Sequence, residues 1–325
     1  MDVPRRLFTF ACTLTVLLAA CRPSEPAVRI VPVPARPAVA AAQVGHALAA
    51  DPSRAAAGLV PASVSRIPSR PILGPASTDD PALSAAIAAA LGAEIGHYSV
   101  VVKRLRDGRG TRLNAEREYY AASLFKLALL YEAAHERSVG ALDFDELVTI
   151  TARDLDEDLG TIGALGAGIG DRLSVRDAVR AMVTLSDNTS AVMLLYRLGP
   201  STVDRTLRLL GLQDTSVNTR ALPTTAADMA LLMEALLRGT GLTPSVRDDA
   251  LAVLANQETR SGIPRGLPHS VRSGNKTGTW PGATHDVAYV DAPGGAYVIA
   301  ILSDLGWVWE PIARISKAVY EVMGS

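Results

Sequence analysis

Eleven of the 20 prolines fall within residues 22–81, and no Phe, Trp or Tyr occurs between Phe10 and Tyr98. A stretch so poor in large apolar side chains cannot bury enough surface to offset the entropy of ordering its backbone. The folded body must therefore come from residues 79–325, and residues 21–78 read as a tether extended in places by proline. A chain of 325 residues exceeds what one hydrophobic core usually serves, so two lobes are expected within that body.

Ahead of the tether, Arg5 and Arg6 precede the apolar run Leu7 to Ala20. The run is short for a bilayer span but suits the core of a secretory signal, assigned here to residues 1–20. It ends in Leu18-Ala19-Ala20-Cys21, which resembles the lipobox of bacterial lipoproteins. That resemblance implies cleavage before Cys21, a lipid on its sulfur and a membrane contact through the anchor alone. An ordinary signal peptide cut near Ala20, with an incidental Cys21, is the alternative. Either way the expected location is extracytoplasmic, in the periplasm or cell envelope.

Cys12 and Cys21 are the only cysteines, which excludes a disulfide framework and a Cys-based zinc site. The five histidines show no ligand spacing, so no metal and no cofactor are expected. The 32 basic against 33 acidic residues give a net charge of −1, unlike a nucleic-acid binder. A monomer is expected.

Within residues 79–325 the pattern predicts strands at both ends and helices between them. Asp79-Asp80-Pro81 starts a helix running to about Gly92. His97 to Arg106 is rich in β-branched residues and ends in an Asp107-Gly108 turn. Helical spacing follows over 124–137, 175–185, 189–198, 203–210 and 226–237. Strands return over 286–291 and 296–303, and a last helix covers 310–322, with Trp307 and Trp309 expected to pack between them. The fold class predicted is α/β in the α+β sense: an antiparallel sheet built from both chain ends with flanking helices, plus an all-helical lobe. The sheet lobe takes about 79–120 and 268–325, the helical lobe about 121–267, with a ligand cleft between them.

Three short motifs carry possible chemistry. In Ser123-Leu124-Phe125-Lys126 the hydroxyl and the amine lie almost one helical turn apart at a helix start. A serine needs a base to become nucleophilic, and a lysine serves if burial lowers its pKa. Ser186-Asp187-Asn188 sits between two helices, where all three residue types also make good caps. Lys276-Thr277-Gly278-Thr279 precedes the late strands and combines a cation, a hydroxyl and a glycine that admits close approach. Alone, each motif is equally an ordinary capping turn or a polar strand start.

In this order, 63 and then 90 residues apart, they resemble the penicillin-recognising serine hydrolases, the class A β-lactamases and penicillin-binding proteins. The resemblance spans roughly residues 80 to 325, most closely around Leu185 to Ala191 and from Lys276 to Val287. It implies Ser123 as acylated nucleophile, Lys126 as general base and Ser186 as proton carrier toward the leaving nitrogen. It further implies Asn188, Lys276, Thr277 and Thr279 as substrate-binding residues, with the N–H groups of Ser123 and Thr279 forming the oxyanion hole. The partner implied is a small β-lactam or a peptidoglycan-like peptide. His285, nine residues past Lys276, either touches substrate or supports the strand beside Asp286.

One departure stands out. Class A β-lactamases carry a Glu, followed shortly by Asn, on a loop after Ser-Asp-Asn, where it holds the water that frees the acyl-enzyme. Here no Glu occurs between Asn188 and Glu234; Asp204, Asp214 and Asp228 are the only acids in that interval. The loop leading to Thr224-Thr225-Ala226-Ala227-Asp228-Met229 is also short. Three readings follow. One is a hydrolase that opens the β-lactam amide and turns over. A second is a penicillin-binding-protein-like DD-peptidase or esterase with slow or no turnover. The third is a tethered binding module without chemistry, against which the intact Ser123, Lys126 and Ser186 argue.

Overall fold

The computed structural model describes residues 30–31, 78–155 and 161–324. The signal segment, Cys21 and nearly all of the tether lie outside the described residues.

The main sheet has six strands: β1 (Thr78–Asp79), β2 (Tyr98–Arg104), β3 (Arg109–Leu113), β4 (Arg272–Trp280), β5 (Ala283–Asp291) and β6 (Tyr297–Ser303). Their spatial order is β1-β3-β2-β6-β5-β4. All pairings are antiparallel except the short β1–β3 contact. β2, from the start of the body, pairs with β6 from its end, Val100 opposite Ile301 and Val102 opposite Ile299. The expected sheet made from both chain ends is thus what forms.

Alternation along these strands divides the apolar side chains between two cores. On one face Val100, Val102, Ile299 and Ile301 meet helices α1 (Pro81–Leu91) and α8 (Glu310–Met323). α1 starts where expected because the Asp80 carboxylate accepts from the N–H groups of Ala82 (2.9 Å) and Leu83 (3.2 Å), with Pro81 in its first turn. It buries Leu83, Ile87 and Leu91, one residue per helical turn. On the other face Val101, Val298, Ala300 and Leu302 join the core of the helical block. That block holds α2 (Phe125–Ser138), α3 (Val175–Thr184), α4 (Asn188–Leu198), α5 (Pro200–Leu210), α6 (Ala226–Arg238) and α7 (Pro244–Ala255).

Several elements differ from the sequence reading. α5 begins at Pro200 rather than Val203, since Gly199 adopts φ +82° and proline suits the first helical position. α7 is absent from that reading: its PSVRDDALAVLA run buries only Val246, Ala250, Leu251 and Leu254. β4 runs through the whole of Arg272–Trp280, so Lys276 to Thr279 lie inside a strand rather than before one. Its polar sequence hides a strand whose residues 273–278 are nevertheless buried. Trp307 is 61% exposed, so it does not pack between strand and helix, whereas Trp309 does pack on the core beneath α8.

Two small sheets complete the fold. Ile30–Val31 pairs with Arg172–Ser174, which in turn pairs with Leu147–Thr149. Tyr119–Tyr120 pairs with Pro223–Thr224, and this second ribbon fixes the approach to Ser123.

Candidate active site

Ser123 lies in a short 3₁₀ turn, Ala122–Leu124, that runs directly into α2. Three contacts clamp the chain just ahead of it. The Ala121 N–H donates to the Leu222 carbonyl at 2.8 Å, extending the Tyr119–Tyr120 ribbon. β4 passes so close that a Cβ on Gly278 would sit 2.9 Å from the Ala121 carbonyl oxygen and 3.3 Å from Leu124 N. Only glycine allows that approach.

The third contact is His285. The Ser303 N–H donates to its Nδ1 at 3.2 Å, so its Nε2 carries the hydrogen and donates to the Tyr120 carbonyl at 2.9 Å. Burial pushes the imidazole down to about 4, with the backbone of Tyr120 and of Thr284 opposing. Of the two roles open for His285, the structure supports the positioning one: it is a neutral brace between β5, β6 and the Ser123 segment.

Past the turn, α2 carries Lys126 into a fully buried position. Its Nζ donates to the Ser186 carbonyl, to Asn188 Oδ1 at 2.5 Å and to Ser186 Oγ at 3.3 Å. From the opposite side Lys276 Nζ donates to the same Ser186 Oγ at 3.0 Å and to the Thr277 carbonyl at 2.8 Å. One hydroxyl oxygen therefore receives both amines, and its own hydrogen remains free to be donated elsewhere. Ser186 reaches this position in the left-handed region, φ +59°, where a non-glycine residue is strained. The strain is held by Asp187, whose N–H donates to the Ala181 carbonyl and whose carboxylate caps α4 by accepting from the Ser190 N–H at 2.6 Å.

Electrostatics follow from dryness. Burial pulls Lys126 down to about 7, with Asp187 opposing. Burial and then the Lys126 charge drive Lys276 well below its ordinary value, with Asp286 opposing. Asp286, on β5 opposite Thr277, is raised by burial to about 7 although Asn275 Nδ2 (2.8 Å) and the Ile263 N–H (2.7 Å) donate to it. Two ammonium groups sharing one oxygen repel in such a site, which disfavours both being charged at once, and Lys126 exchanges its proton near neutral pH.

Thr277 is buried and Thr279 half-buried along β4, the strand at the sheet edge. The sequence motifs on Ser123, Lys126, Ser186, Asn188, Lys276, Thr277 and Thr279 thus gather around α2, the α3–α4 junction and β4. Sequence reasoning missed the clamp, namely Leu222 and the Tyr119–Thr224 ribbon; only the Gly278 position hinted at close approach. Cys21 lies outside the described residues. Among the described residues no group of three or more His, Cys, Asp or Glu could hold a metal ion.

The loop of residues 211–225 lies against the Ser123 segment, and acids of the helices on either side of it, Asp204 and Asp228, hold it in place. Asp228 accepts from the Asp214 N–H and Thr215 Oγ1, each at 2.8 Å. Asp204 accepts from Ser216 Oγ at 2.5 Å and the Val217 N–H at 2.8 Å. Asp214 is exposed.

Comparison with known proteins agrees with this geometry. The sequence model described as the β-lactamase enzyme family matches residues 82–323. The β-lactamase AST-1 of Nocardia asteroides is 32% identical over 229 residues, 65% of this chain and 72% of that protein. Among solved structures, a β-lactamase from Sphaerobacter thermophilus is 26% identical with a TM-score of 0.67, covering 75% of this chain and 97% of its own. PBP-A, 23% identical, shares the fold with a TM-score of 0.70 over 77% of this chain and 98% of its own. A point mutant of PBP-A has been solved as an acyl-enzyme complex with penicillin G.

Proposed function

The chain belongs to the β-lactamase enzyme family, and from that premise we propose that it is a serine hydrolase that β-lactams acylate at Ser123 and that releases the acyl group slowly. The observation carrying this reading is the pairing of the Lys126–Ser186–Lys276 cluster with the lack of any Glu between Asn188 and Glu234, where Asp204 and Asp228 are already engaged in bonds to the 211–225 loop and Asp214 is exposed.

In the proposed reaction neutral Lys126 accepts the Ser123 proton as Oγ bonds to the carbonyl carbon. The N–H groups of Ser123 and Thr279 stabilise the oxyanion. As the carbon–nitrogen bond breaks, Ser186 gives its hydrogen to the leaving nitrogen and recovers one from Lys126. Lys276 and Thr277 hold the substrate carboxylate, whose arrival favours the protonated form of Lys276. Asn188 supports the acyl side chain. Water then needs a base to free Ser123, and without one that step slows by about 10²–10⁴-fold.

This chemistry fits a penicillin-binding-protein-like DD-peptidase or esterase working on peptidoglycan-like peptides. Turnover of β-lactams, the second reading, is favoured by the 32% identity to AST-1. A time course of intact mass with benzylpenicillin decides: a lasting adduct of one penicillin supports the first, a transient adduct with product release supports the second, and no adduct with penicillin, peptide or ester overturns both. The proposal includes an extracytoplasmic, lipid-tethered monomer, for which the apolar run Leu7 to Ala20 and Cys21 are the support. The mass of the mature N-terminus, acylated at Cys21 or not, tests it.

A further inference from the structure

Three large aromatic side chains stand in solvent at one end of β4: Tyr120 (38% exposed), Trp280 (57%) and Trp307 (61%). Exposed aromatic surface that gathers in one place marks a contact site more often than an accident of the fold. The rings of Tyr120 and Trp280 touch, with centroids 5.7 Å apart and planes tilted by 58°. The Gly306 backbone packs against Trp280 and Pro281, where an added Cβ would lie 2.9 Å from the Trp280 carbonyl oxygen, and this brings Trp307 to the same strand end. Trp307 itself adopts φ +57°, a strained conformation for a bulky residue and one that persists only where surroundings enforce it.

The placement relative to the site follows from strand alternation. Side chains two apart share a face, so Lys276, Gly278 and Trp280 point the same way from β4. Lys276 reaches Ser186 on that face, Gly278 lies against the Ser123 turn, and Trp280 extends beyond it to Tyr120. Lys276 and Trp280 are therefore about 13 Å apart along the strand, with Ser123's turn between them. The Tyr120 backbone is held by His285 and by pairing with Pro223, which makes this end a rigid platform.

We infer that Tyr120 and Trp280, flanked by Trp307, form an aromatic rim that receives an apolar ring on the acyl group of the substrate, at the end of the site opposite the carboxylate-binding Lys276. The rim selects acyl donors carrying an aryl side chain over those with none. This deepens the proposed function and rests on it for the direction in which substrate lies.

The test compares benzylpenicillin, which carries a phenylacetyl ring, with 6-aminopenicillanic acid, which lacks it. The ratio of their second-order acylation rates should fall by about two- to tenfold in Trp280→Ala and be largely restored in Trp280→Phe, the usual worth of an aromatic pair. Equal loss with both compounds, or an unchanged ratio, overturns the rim. Absence of any acylation would defeat the proposed function instead, and the rim is then read in Ser123→Ala protein by equilibrium binding. There the ring-bearing penicillin must bind more tightly and Trp280→Ala must erase the difference; no preference, including no measurable binding of either, overturns it. Unchanged thermal unfolding of the exposed Trp280 variants confirms that the comparison is between folded proteins.

Discussion

The proposed reaction asks Lys126 to be a base although an ordinary lysine is protonated at neutral pH, and burial meets that demand by lowering its pKa to about 7. Acylation of Ser123 should therefore quicken as pH rises through about 7 and level off above it, which stopped-flow rates with a chromogenic cephalosporin would trace. Lys126→Arg keeps the charge but cannot give up its proton, so acylation should drop by about 10²-fold or more with the rising limb lost. A second buried group on the same helix has the opposite cost. Glu132 is 2% exposed, its Oε2 has no hydrogen-bond partner, and burial raises its pKa to about 7. The folded chain thus holds a proton between about pH 4.5 and 7 that the unfolded chain has released, so stability from this group is lost as pH rises through that window. Glu132→Gln should stabilise the protein by about 1–3 kcal/mol at pH 8 and by much less at pH 5, measured by urea unfolding. The motifs that carry Ser123, Lys126, Ser186, Asn188, Lys276, Thr277 and Thr279 were visible in the sequence as short local runs, and the structure places them around one another. The Leu222 contact and the Tyr119–Thr224 ribbon were not, because a two-residue pairing between distant segments leaves no periodic trace.

Among the elements, β4 is the one that propensity concealed. Its RSGNKTGTW run lacks the alternating apolar residues of a strand, yet it is buried because polar groups such as Asn275 and Asp286 satisfy each other across β4 and β5. The long helices were legible for the converse reason, since α3 and α5 carry one apolar stripe each, although apolar spacing alone places the start of α5 three residues after its actual start at Pro200. Close approach makes β4 intolerant at one point. In Gly278→Val the side chain would enter space already held by Ala121 and Leu124. Acylation should fall by at least tenfold while the far-UV spectrum stays native, because the strand shifts away from Ser123 without unfolding. A preserved rate in that variant would contradict the clamp.

At the scale of the whole molecule, the sheet depends on residues separated by most of the folded body, as the pairing of Val100 with Ile301 illustrates. Helices α1 and α8 cover one face of that sheet jointly. Removing residues 310–325 would strip Ile312, Ile315 and Val319 from this core and should prevent folding. Removing residues 1–76 takes away none of the buried core residues found among the described residues, only the two-residue Ile30–Val31 strand, and should leave the melting temperature within a few degrees, as calorimetry can verify. The start of the first long helix was legible in Asp79-Asp80-Pro81, whereas the small sheets were not, being two or three residues per strand.

The union of early and late strands has a temporal meaning. Ser123 is made well before Gly278, His285 and Ser303 leave the ribosome, and those residues complete its surroundings. Under the proposed function, a growing polypeptide would carry an inert hydroxyl until the final strands join the sheet.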